Sequence, residues 1–130
     1  MTLIEQQKKF SQLTGLVINW AFSHGYELVC KELERPQMIQ DFYFKTGKSK
    51  TKTSYHTKRL ALDVELWENG VRLTETPQYG LLGQYWESLH PDCVWGGRFG
   101  DRPDTLEVEG WDGGHLQFGG KESILYYRGK

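Results

Sequence analysis

LALDVELWENGVRL (60–73) alternates apolar and polar side chains from Leu60 to Trp67 and then reaches Asn69-Gly70. A period of two places Leu60, Leu62, Val64 and Leu66 on one face of a strand and Ala61, Asp63 and Glu65 on the other. Asn-Gly is the strongest short hairpin signal, because both turn positions tolerate positive φ, so Val71-Arg72-Leu73 returns as a short antiparallel strand. The apolar face goes to the core. Asp63 therefore points to the other side.

Working outward, Leu3, Phe10, Leu13, Val17, Trp20 and Ala21 recur at helical spacing, which predicts a helix over 3–24 closed by Gly25. YELVCKEL (26–33) reads as a strand. Pro36 suits the first turn of a second helix through Phe44, stopped near Gly47, and the polar KSKTKTS (48–54) reads as a loop. After Pro77 a third helix over 78–90 carries the stripe Leu82, Tyr85, Trp86 and Leu89, a pattern of core packing. The Gly- and aromatic-rich stretch 94–120 reads as short strands joined by irregular loops. Helices and hairpins in this order predict an α+β fold, a small antiparallel sheet flanked by helices, in one domain spanning 1–130.

A chain that is 25% charged and 14% aromatic is built to fold rather than to stay disordered. A formal net charge of −1 argues against an electrostatic nucleic-acid binder. The local exception is 45–59, with six Lys or Arg and no acid, which reads either as a solvated loop or as a contact for an anionic ligand. No apolar run has the length of a signal peptide or a membrane span, which predicts cytoplasmic synthesis and no membrane insertion. Cys30 and Cys93 are too few for a disulfide framework and read as free thiols.

Chemistry concentrates in two places. SYHTKRLALD (54–63) holds His56 and Asp63, and WDGGHLQF (111–118) holds Asp112 and His115. Two imidazoles and a carboxylate meet the count for a catalytic zinc, three N/O ligands with one position left for water. The spare carboxylate of Asp112 suits a general base. Such pairs also arise by chance in a chain with four histidines, so spacing alone leaves the metal reading open. His24 and His90 lack a neighbouring acid pattern and read as structural. No HExxH motif is present.

Ser54, His56, Ala61 and Asp63 match S-x-H-x-x-G-x-A-x-D, and DGGH (112–115) matches an acid, two residues and a histidine. In these motifs the chain resembles the VanY-like zinc D-Ala-D-Ala carboxypeptidases and L-alanyl-D-glutamate endopeptidases, which share a metal site with hedgehog domains. ERPQMIQ (34–40) and QYWESLHPDCVWGGRF (84–99) resemble the phage endolysin branch of that family, so the likeness runs from about Gly25 to Gly120. It departs in three places. Arg59 stands where the signature has glycine, GDRPDTLEVEGW (100–111) is longer than the family leads one to expect, and Leu116-Gln117 replaces a common His-x-Glu ending. The insertion brings Asp101, Asp104, Glu107 and Glu109 as competing acids, with Glu109 the rival to Asp112.

The resemblance implies a hedgehog/DD-peptidase-like fold with Zn²⁺ held by His56, Asp63 and His115, and Asp112 as the base. It implies that Arg35 clamps an oxyanion or substrate carboxylate. Gln40, on the following helix, reads either as a hydrogen-bonding contact for substrate or as a helix-surface residue, and Ser54 as a substrate contact or a brace for the metal loop. Glu65 is a weaker candidate for orienting a ligand imidazole. The implied activity is cleavage of a peptidoglycan stem peptide, with the L-Ala–D-Glu bond as the best single choice. D-Ala-D-Ala carboxypeptidase action, D-Ala–diaminopimelate cleavage and a non-catalytic zinc-containing wall-binding module are the alternatives. The endolysin likeness further implies a monomer made in the host cytoplasm, released by a separate pore-forming protein and acting on the wall from the periplasm.

Overall fold

A computed structural model describes residues 1–49, 51, 53–99 and 112–122. Three helices are present among these, α1 (Leu3–Ser23), α2 (Gln37–Lys45) and α3 (Gly80–Leu89). Five strands accompany them: β1 (Glu27–Cys30), β2 (Ala61–Glu68), β3 (Val71–Arg72), β4 (Cys93–Trp95) and β5 (His115–Phe118). All pairings are antiparallel, in the order β1-β2-β5-β4, with β3 also paired to β2. The α+β architecture expected from the sequence is the one observed.

The alternation in β2 works as read. Leu62, Val64 and Leu66 are buried with Leu60 against α1 and α3, together with Leu116 and Phe118 from β5. From α1 come Phe10, Leu13, Val17 and Ala21, and the Phe10 ring meets Trp86 of α3 edge-on at 5.8 Å. Leu3, expected on this stripe, is 49% exposed because it precedes the first turn that reaches the core. Thr2 and Glu5 close the helix start with a capping box, and Gly25 at φ +84° follows its end. Asn69 and Gly70 both take positive φ, as the hairpin requires.

Several boundaries move. β1 is shorter than 26–33 because pairing changes after Cys30: Lys31 N–H donates to Asp63 O at 2.8 Å and Asp63 N–H to Glu32 O at 2.8 Å. The start of the third helix becomes a separate 3₁₀ turn at Thr76–Tyr79. A second 3₁₀ turn, Tyr55–Lys58, carries His56. The insertion, with Asp101, Asp104, Glu107 and Glu109, lies outside the described residues. Among the described residues no helix is long and apolar enough to cross a membrane. Both cysteines are free, Cys30 exposed and Cys93 buried.

Candidate metal centre

Asp63 and His115 are direct cross-strand partners on β2 and β5. They occupy the sheet face turned away from the helical core, so their side chains stand side by side, with Asp63 Oδ1 3.1 Å from His115 Nδ1. His56 arrives from the 3₁₀ turn, where Ser54 Oγ accepts its backbone N–H. Its Nε2 lies 3.2 Å from Asp63 Oδ2. One ligand atom from each of His56, Asp63 and His115 falls within 4.8 Å of the others. The sequence had separated these residues by up to 59 positions, and the register of two strands closes the gap.

The donor set fits a metal ion. His56 Nε2 is buried and, although 3.2 Å from Asp63 Oδ2, is in no well-aligned hydrogen bond, a poor geometry that protein interiors rarely leave unless something else satisfies the atom. The opposite nitrogen of each imidazole is engaged: His56 Nδ1 with Leu33 O at 2.9 Å, and His115 Nε2 with Gln117 Oε1 at 2.8 Å. An acceptor on the far nitrogen fixes the proton there and frees the near lone pair for a cation. Gln117 is itself oriented, because its Nε2 donates to Gly119 O. The departure from the His-x-Glu ending therefore keeps an acceptor beside the imidazole. Gln117 and the Leu33 carbonyl do the orienting that Glu65 was a candidate for, while Glu65 pairs with Arg72 at 3.0 Å.

Charge within the cluster is tightly linked. Burial would raise the Asp63 carboxyl, but the hydrogen bond from His115 and the adjacent His56 outweigh it and hold it well below the usual carboxylate range. Burial would lower His115, yet Asp63 and Asp112 beside it bring the imidazole up to about 9. Asp112 Oδ2 lies 3.7 Å from His115 Nδ1. Its pKa is raised, first by burial in the cleft, against the opposing pull of the His115 charge.

The turn carrying Asp112 and His115 is set by QYWESLHPDCVWGGRF, whose role in the site the motifs did not reveal. Trp95 Nε1 donates to Gly113 O at 2.7 Å, and Trp86 Nε1 donates to Val94 O and Gln117 O at 3.1 Å. A Cβ on Gly96 would lie 2.2 Å from Asp112 O and 2.7 Å from His115 Cβ. A Cβ on Gly114 would lie 2.3 Å from Val64 O. These glycines are required by close approach. At the family's missing glycine, Arg59 adopts φ 57° and ψ 39°, the left-handed region. That backbone explains the signature glycine and shows that arginine bears it here at a cost in strain.

A cleft of about 390 Å³ opens over the cluster, lined by Arg35, Ser54, His56, Asp63, Asp112 and His115 among others. Arg35 is only 13% exposed and firmly braced. Its Nε and Nη2 donate to Glu32, its Nη1 to Gln40 Oε1 at 2.6 Å, and its guanidinium lies 5.0 Å from the Tyr43 ring centre. Its backbone N–H donates to His56 O. Gln40, expected to meet substrate, is wholly buried behind Arg35 and spends its Nε2 on Ser49 Oγ and Thr51 O. His24 and His90 stay structural, bonded to Trp20 O and to the Asp92 N–H respectively.

No protein-family model matches the chain and no curated protein matches it. Solved structures do. An L-Ala D-Glu endopeptidase of Serratia marcescens, ChiX, is 22% identical with a TM-score of 0.65, over 85% of this chain and 78% of that one. The LD-carboxypeptidase LdcB, whose structure concerns peptidoglycan recognition, is 18% identical with a TM-score of 0.57, over 93% and 62%. The vancomycin-resistance D,D-pentapeptidase VanY of a VanB-type cassette, solved with Zn(II), is 18% identical with a TM-score of 0.52, over 94% and 77%. The chain shares the DD-peptidase-like fold of these structures.

Proposed function

We propose that the protein is a zinc-dependent peptidoglycan peptidase in which His56, Asp63 and His115 hold the metal. The observation that carries this is the convergence of the three side chains, with the buried His56 Nε2 facing Asp63 but in no well-aligned hydrogen bond, and with a second acid beside them. The VanY likeness, to a structure containing Zn(II), supports the choice of ion. When bound, zinc supplies a Lewis acid and a water ionised near neutral pH.

The chain's own residues would do the rest. Asp112, its pKa raised by burial, accepts the proton as water attacks the peptide carbonyl and returns it to the leaving amine. Arg35, on the cleft surface, offers its guanidinium to the developing oxyanion or to a substrate carboxylate. Gln40 positions Arg35 from behind, and the Ser54 hydroxyl both caps the His56 turn and faces the cleft. A metal held for structure alone would call for a fourth protein ligand, and the cluster offers three with an acid in reserve. We favour L-Ala–D-Glu endopeptidase action in a monomeric phage endolysin that reaches the wall through a separate pore-forming protein. The endopeptidase likeness and the phage-type motifs support that reading.

The test is metal analysis with digestion of purified sacculi. The protein should carry about one zinc per chain, and His56→Ala, Asp63→Ala and His115→Ala should each lose it. Mass spectrometry should find stem peptides beginning at D-Glu. Stoichiometric zinc in all three variants would sink the metal site. Release of terminal D-Ala alone, or cleavage at D-Ala–diaminopimelate, would move the bond and keep the chemistry.

A further inference from the structure

Residues 31–35 form a strap bonded to two of the three candidate metal ligands, Asp63 and His56. Lys31 N–H donates to Asp63 O and Asp63 N–H to Glu32 O, each at 2.8 Å. Leu33 O meets His56 Nδ1 at 2.9 Å, and Arg35 N–H donates to His56 O at 3.0 Å. The backbone that carries Glu32 and Arg35 is therefore fixed to the ligands themselves. Within the strap, Glu32 Oε1 accepts from both Nε and Nη2 of Arg35, from Nε at 2.9 Å. Among the described residues the Glu32 carboxylate bonds no other side chain.

A guanidinium carries five N–H donors in one plane. Glu32 takes two and Gln40 a third, on Nη1, which leaves one N–H on each terminal nitrogen. The Gln40 contact fixes one point, whereas two bonds along the Nε–Nη2 edge fix the direction of the fork. Arg35 lines the cleft, close enough to Asp112 to pull against the burial that raises that carboxyl. We propose that Glu32 is a positioning residue, whose carboxylate aims the remaining N–H pair of Arg35 at the oxygen that becomes charged as the peptide is cleaved. The proposal rests on the peptidase reading. An opposite charge already at the guanidinium weakens its pull on a ready-made carboxylate, so direction is what the pair supplies. Donors aimed at a developing charge act in the transition state, and their misplacement lowers kcat more than it raises KM.

The test measures kcat and KM of the zinc-loaded chain on soluble disaccharide peptides from sacculi. Glu32→Ala should keep its zinc and lower kcat about 10–100-fold, with KM changed by less than about threefold. Glu32→Gln keeps an oxygen acceptor at the same reach and should recover most of the loss. In an Arg35→Ala background, Glu32→Ala should cost nothing further, because it acts through the guanidinium. A second readout needs no turnover. Guanidinium NMR should show slowed rotation for Arg35, assigned by the signal's absence in Arg35→Ala, and fast rotation in Glu32→Ala. Loss of zinc in Glu32→Ala, an equal kcat loss in Glu32→Gln, or a further loss on top of Arg35→Ala overturns the positioning role. Wild-type kcat in Glu32→Ala removes that role and leaves the peptidase reading. A wild type that cleaves nothing, with the guanidinium freed in Glu32→Ala, removes the peptidase reading and leaves Glu32 as the residue that holds Arg35.

Discussion

Two groups of residues line the cleft, and they are held by different forces. Asp63 and His115 stand on strands whose opposite face is the hydrophobic core, with Leu62, Val64, Leu116 and Phe118 beneath them. Arg35, Ser49 and Thr51 are tied instead to α2, a helix that buries one side chain, the polar Gln40. Met38 and Phe42 on the same helix are 77% and 59% exposed. Reacting groups need fixed geometry, and packing against a dense core gives it. A substrate-contacting flank needs hydrogen bonds that define direction, and it can open locally at lower cost.

The largest effect should come from the acid beside the core-mounted pair. Asp112→Asn should retain zinc and fold yet lose peptidase activity by about 10²–10⁴-fold, the range for general acid–base assistance. Zinc loss in this variant would mean that Asp112 is a ligand rather than a base. Next, the two buried glutamines set the groups against each other. Gln117→Leu frees the far nitrogen of His115 and should weaken zinc binding by about 10–100-fold, measured by competition with a chelating dye. Gln40→Met should leave zinc affinity alone but raise KM, because Arg35, Ser49 and Thr51 lose their common anchor. Equal effects of both variants on zinc would erase the distinction.

A smaller effect concerns pH. His115 in the metal-free fold sits at about 9, above its ordinary value of 6.5, so the protonated imidazole stabilises the fold below 6.5. That contribution is lost as pH rises through 9. Asp63 is shifted down, so its contribution is present above its unfolded value, near 3.8, and lost in acid. Melting of the chelated protein should therefore fall by several degrees from pH 6.5 to 9, about 1 kcal/mol corresponding to roughly 2–8 °C. The zinc-loaded protein should hold its Tm over that range, since metal requires deprotonated ligands. Parallel curves would show that the cluster does not couple to folding. The smallest effect is Arg59→Gly, at the junction between the basic segment and β2. Relief of the left-handed strain offsets the added freedom of the unfolded glycine, so urea unfolding should show a change between zero and about 1 kcal/mol of stabilisation.

What the sequence determined by itself was set by short-range periodicity and local chemistry. The alternation from Leu60 to Leu66 gave the core face of β2, Asn69-Gly70 gave the hairpin, and the two His/Asp motifs supplied the members of the cluster. Only the tertiary structure decided how they meet. The pairing of Asp63 with His115 is a register between strands 52 residues apart, which no local pattern encodes. The burial of Gln40, the acceptor role of Gln117 and the glycine contacts of Gly96 and Gly114 likewise depend on what lies across the fold. Periodicity tells which way a side chain points along its own element, whereas its partner is fixed by packing between elements.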